Sequence, residues 1–175
     1  KEDRYTIIPS LGKKMKLKLV VKANGANVQS VIVNGKKATW KNVEDAIGSP
    51  AIEVSSIVQD KYVISIIWSG NSTAVSGLQP HYTNGAKLDL QFPGSEIQSI
   101  SDPQQILQSV QKNKEKVSAV INAVKGSYTV FVKLKQNDFI WWQPLDITVK
   151  PAVEITASFN QPKGSLQFSV VNNTS

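Results

Sequence analysis

PQQILQSVQKNKEKVSAVINAVK, residues 103–125, decides whether this chain is all-β or mixed. Ile106, Leu107, Val110, Val117, Val120, Ile121 and Val124 recur at helical spacing, and Asp102-Pro103 suits a cap followed by a first helical residue. Against a helix, the second half is β-branched, and KNKE at 112–115 has the polarity of a hairpin tip. A helix of this length also needs a groove to bury its apolar stripe, whereas the surrounding sequence offers only strands. The stretch therefore reads as two strands, with one short helix around residues 103–123 as the alternative.

Both flanks point the same way. Upstream, KLDLQF (87–92) alternates with Leu88, Leu90 and Phe92 inward. Downstream, SYTVFVKLKQ (127–136) places Tyr128, Val130, Val132 and Leu134 inward, and Asn137-Asp138 turns the chain into NDFIWWQPLD (137–146). There the period of two puts Phe139, Trp141, Leu145, Ile147 and Val149 on one side. Asp138, Trp142, Pro144, Asp146, Thr148 and Lys150 fall on the other. Trp141 belongs to the core, and Trp142 is open to a ligand, another domain or a covering loop. Pro144 marks an edge strand or a bulge that would swap the parity beyond it.

The first half repeats this grammar. KMKLKLVVK (14–22) alternates lysines with Met15, Leu17, Leu19 and Val21. VQSVIVNGKKATWKNV (28–43) is a hairpin whose Asn34-Gly35 suits a type I′ turn. Strands follow at about 51–58 and 61–68; the second is apolar on both faces and so central, with Trp68 in the core beside Tyr62, Ile64 and Ile66. Residues 69–86 form the longest loop-like segment. Beyond Pro151, VEITASF and SLQFSVVN make a last pair around NQPKG.

About ten to twelve short strands at this spacing predict an immunoglobulin-like antiparallel β-sandwich. Residues 1–150 form one sandwich domain. Residues 151–175 are either its last strands or the start of a further immunoglobulin-like module, because two strands do not stand alone.

Composition narrows the function classes. The chain has no cysteine, which excludes a disulfide framework, a thiolate metal site and a cysteine nucleophile. Its net charge of +7 comes from nineteen lysines spread along the chain and the single Arg4. Nucleic-acid readers rely on clustered arginine, so that partner is not expected. No apolar run reaches the roughly 18 residues of a membrane helix, and KEDRYTIIPS lacks the zones of a signal peptide. The sequence reads as cytoplasmic, or as an exported protein shown without its leader.

No catalytic or metal constellation emerges, and no cofactor is expected. His81, the single histidine, lies in LQPHYTNG beside Tyr82 without a G-x-S-x-G elbow, and one histidine cannot build a His-only metal site. The thirteen acids show no pair spaced for glycoside hydrolysis. Asn71-Ser72-Thr73 and Asn172-Asn173-Thr174 match the glycosylation sequon. Aromatic side chains carry what signal remains, since flat sugar faces stack on them. Trp142, Trp40, Phe131 and Tyr82, with His81 at the periphery, are the candidate ligand contacts.

VQSVIVNGKKATW, SISDPQQIL and KGSYTVFVKLKQNDFIWWQPLDITVKP together resemble accessory β-sandwich modules of bacterial glycoside hydrolases from Bacteroidetes-type polysaccharide-utilisation systems. SLQFSVVNNTS is similar to the early strands of immunoglobulin-like modules in such enzymes. The resemblance implies export to the periplasm or cell surface, a catalytic domain alongside, and polysaccharide or that domain as partner. It carries over no active-site residue. The expected function is a non-catalytic structural or docking module, with a carbohydrate-binding module using exposed aromatics as the alternative.

Overall fold

The computed structural model describes residues 1–10, 14–72, 74–160 and 164–174. Thr73 of the first sequon and residues 161–163 of the NQPKG loop lie outside the described residues. None of the described residues is helical, so no helix is long and apolar enough to cross a membrane.

The chain is all-β, with every strand pairing antiparallel, and its sheets form in two blocks along the sequence. In the first block, β1 (Glu2–Ile7), β3 (Asn27–Val33), β4 (Lys36–Lys37) and β7 (Tyr62–Ser69) make one sheet in the order β1-β7-β3-β4. Facing it are β2 (Met15–Lys22), β5 (Trp40–Asn42) and β6 (Ala51–Gln59), in the order β2-β6-β5. Strand β7 is central, as its two apolar faces require. Asn34 and Gly35 both take positive φ, 51° and 76°, which is the type I′ geometry that fits the twist of β3 and β4.

The second block repeats the plan. One sheet has the order β13-β12-β9, from β9 (Glu96–Ser101), β12 (Gly126–Gln136) and β13 (Phe139–Val149). Its companion has the order β10-β11-β8, from β8 (Lys87–Gln91), β10 (Leu107–Lys112) and β11 (Lys116–Ile121). Inward residues such as Ile64, Trp68, Leu90, Val132 and Trp141 belong to one apolar cluster that runs through both blocks.

The helix alternative for residues 103–123 is wrong. Val117, Ala119 and Ile121 are buried with period two, and Asn113 Oδ1 accepts from the backbone N–H groups of Glu115 and Lys116, closing a hairpin. A bulge between Gln108 and Gln111, with Ser109 at φ 52°, throws Val110 out to solvent and produced the false helical spacing. Asp102 caps a turn instead of a helix, its Oδ2 accepting the Leu107 N–H at 2.8 Å.

The joint between the blocks is the start of β13. Phe139 stands 6.0 Å from the ring of Trp40 and 6.5 Å from that of Trp68, one from each sheet of the first block. Asn42 behaves as a one-residue strand, since its side-chain amide donates to Ile140 O at 3.1 Å and accepts from Ile140 N at 3.2 Å. Asn137 donates to Ala26 O at 3.1 Å.

Two buried tyrosines tie strand entries to the backbone upstream. Tyr62 Oη accepts from Gln59 N at 3.0 Å and lies 2.9 Å from Ile57 O, with Met15 O as a further acceptor. Tyr82 repeats the offsets, accepting from Gln79 N at 3.0 Å with Gly77 O at 3.5 Å. Tyr62→Phe would leave backbone groups of two strands short of partners, so it should cost about 1–3 kcal/mol. The check is a lower denaturation midpoint at unchanged slope, with a loss larger than in Tyr82→Phe, whose second contact is longer.

The remaining strands, β14 (Val153–Asn160) and β15 (Ser165–Asn172), pair with each other in unbroken register. None of their residues belongs to the described core cluster. They are anchored at their base by Lys125 Nζ on Glu154 at 2.8 Å and by Asn173, which donates to Pro151 O and Ala152 O.

Candidate functional site

Strands β12 and β13 are eleven residues each and pair from Gly126↔Val149 to Gln136↔Phe139 without a slip. Pro144 therefore causes no parity swap: it sits opposite Phe131 on a sheet-edge strand, and Leu145, Ile147 and Val149 beyond it stay buried. Trp141 is in the core, and Trp142 is half-buried on the outer face.

Register assigns the neighbours of Trp142. Its partner on β12 is Lys133, whose own partner on β9 is Ser99. On the opposite side Ile47 makes a parallel bridge to Trp142, fixed by Trp142 N to Ala46 O and Gly48 N to Trp142 O, both 2.8 Å. Ile47 is 62% exposed. The next outward row is Pro144, Phe131 and Ser101, and the row after it is Asp146 and Thr129.

The result is an apolar platform of Trp142, Phe131, Pro144 and Ile47 with a polar rim. Phe131 and Trp142 are diagonal neighbours on one face, within reach of aromatic side chains. Lys133 Nζ lies 5.6 Å from the Trp142 ring centre, in a cation–π contact. Thr129 Oγ1 donates to Asp146 Oδ1 at 3.1 Å, which orients one carboxylate at the end of the platform. Such a surface can stack an extended flat ligand and hydrogen-bond its edge.

Two other candidates lie away from this surface. Tyr82 is 2% exposed, and its backbone pairs with the end of β13 through Tyr82 N to Thr148 O and Lys150 N to Tyr82 O, both 2.8 Å. Burial pushes its hydroxyl pKa up, with the Gln79 N–H opposing; the ring presents nothing to a ligand. Trp40 packs its ring on Phe139 and serves the joint, away from the platform's register rows. Next to it on the outside of β6, Glu53 is held below the ordinary carboxylate range by the hydrogen bond from Lys18, with Lys41 adding to it. His81 is half-buried in the loop before Tyr82.

Among the described residues no group of three or more His, Asp or Glu is placed to hold a metal ion. A shallow hollow over β8, β11 and β10 is lined by Asp89, Gln91, Gln111, Lys112, Lys116 and Ser118, without an aromatic ring. The outer sheet face thus combines aromatic rings with an oriented carboxylate, and a second, smaller hollow over β5 and β6 places Trp40 beside Glu53, Lys41 and Ser55. Comparison of the chain with protein-family models, with curated proteins and with solved structures finds no match.

Proposed function

We propose that this chain is an accessory β-sandwich module of an exported bacterial glycan-handling protein, and that it holds polysaccharide on the outer face of β9, β12 and β13. The observation that carries this reading is the co-facial placement of Trp142 and Phe131, with Pro144 and Ile47 extending the apolar surface. Sugar rings offer flat C–H faces to such rings, while Asp146, Thr129, Ser99 and Ser101 offer hydrogen bonds to hydroxyls at the margin. The open, flat shape suits a chain of sugars rather than a small enclosed ligand. A role beside a catalytic domain, at the periplasmic side or cell surface, is part of the same proposal. The tyrosine hydroxyls bonded back to the upstream backbone support an immunoglobulin-like sandwich, where a corner of that kind recurs.

The test is affinity electrophoresis and calorimetry against a panel of plant, algal, fungal and host polysaccharides. A positive glycan should quench or blue-shift tryptophan emission. Trp142→Ala should abolish the response, and Phe131→Ala should weaken binding about tenfold, the equivalent of about 1.4 kcal/mol. Absence of binding across the whole panel would leave docking to a neighbouring domain as the use of this face.

A further inference from the structure

The hairpin of β14 and β15 has one face made for burial and nothing over it. Register places Val153, Ile155, Phe159, Leu166, Phe168 and Val170 on one side, each 52–65% exposed. The other side carries Thr156, Ser158, Asn160, Ser165, Gln167 and Ser169. Paired residues of antiparallel strands point to the same side, so the separation into apolar and polar faces is nearly complete.

We propose that this apolar face is a self-association surface, occupied by the same face of a second copy of the chain. Six large side chains exposing on the order of 100 Å² apiece approach the roughly 800 Å² per partner typical of a stable interface. Charge does not oppose the contact. Among the described residues of the two strands the single charged one is Glu154, at the base and on the polar side, engaged by Lys125 at 2.8 Å. The edge strand β2 differs, keeping Lys16, Lys18 and Lys22 exposed, as strands meant to stay solvated do.

The face is also shaped to fit itself. Ala157 lies directly opposite Phe168, which sets a hole beside a knob in the middle of the hairpin. A two-fold axis running along the strands carries Ala157 of one copy over Phe168 of the other, twice per dimer. Two such hairpins form a four-stranded sandwich whose apolar sides are enclosed. That relieves the marginal stability of an isolated pair of strands.

Sedimentation equilibrium over a wide concentration range tests the proposal on residues 1–175. The wild type should dimerise, and Phe168→Asp or Ile155→Asp should be monomeric with the thermal transition of the body unchanged. Ser158→Asp and Ser169→Asp on the polar face should remain dimeric, which separates loss of the interface from loss of the hairpin. Ala157→Trp fills the hole and should raise the dimer Kd at least tenfold although it adds apolar surface. A monomeric wild type would overturn the proposal. A dimer that survives Phe168→Asp, or one tightened by Ala157→Trp, would overturn it equally.

Discussion

Phe139→Ala is expected to lower stability by about 3–5 kcal/mol and to split one unfolding transition into two. The ring is fully buried, and it is where Trp40 from one sheet and Trp68 from the other meet the second block. Truncation removes its own transfer free energy and opens a cavity between two larger rings. The Trp68 indole is held back from closing that gap, because its Nε1 is committed to Asp3 Oδ2 at 2.8 Å. The polar ties across the joint, from Asn42 and Asn137, hydrogen-bond backbone groups and supply little apolar burial. With the ring gone, cooperativity between the blocks rests more heavily on those ties and on the Ala46–Gly48 segment.

Calorimetry decides the matter. For a chain of this length the loss should appear as a fall in melting temperature of about 10 °C. The calorimetric enthalpy should also exceed the van't Hoff value as the two blocks begin to melt separately. Phe131→Ala, on the solvated face of the neighbouring strand, should shift the transition far less. A single, two-state transition in Phe139→Ala with a shift no larger than that control would mean that the blocks are joined elsewhere.

The sequence was legible wherever period two ran without interruption. Strands β7, β8, β12 and β13 could be read with correct inward faces, because each hydrophobic side chain takes its side from the one two residues before it. Asn34-Gly35 and Asn137-Asp138 fixed parity at the turns, since a two-residue loop leaves no slack in register. The bulged stretch at 107–112 was ambiguous for the converse reason: one extra residue in β10 turns alternation into an apparent helical period. Tyr82 could not be placed, because its segment of Gly, Pro, Asn and Gln has no period, and its burial follows from pairing with β13 far along the chain.

The outer-face apolar platform was legible in its aromatic members and not in its frame. Alternation on β13 put Trp142 outward, and alternation on β12 did the same for Phe131. What joined them was the β12–β13 register, and what extended them was Ile47, from the segment between β5 and β6. The amide of Asn42 reaching Ile140, 98 residues away, belongs to the same class of unreadable contact. Long-range pairing of this kind depends on how whole sheets stack, which no local pattern encodes.

Adjacent tryptophans on one strand should therefore give opposite results on mutation. Trp141→Ala is expected to cost about 3–5 kcal/mol, since the side chain is 2% exposed and lies in the cluster that fills the second block. Trp142→Ala should cost about 1 kcal/mol or less: the ring is half-exposed, and its specific contact is the exposed-type cation–π pair with Lys133. Its backbone hydrogen bonds to Ala46 and Gly48 survive the substitution. A third variant sharpens the contrast. The Trp141 indole N–H has no partner among the described residues, so Trp141→Phe removes a buried, unpaired donor while keeping most of the aromatic volume. Its loss should be well below that of Trp141→Ala. Denaturant midpoints for the three variants give the order directly, and glycan titration of each, below its own transition, gives the converse order for binding. If Trp142→Ala proved the more destabilising of the two alanine variants, the register that places one ring inside and the other on the platform would be wrong.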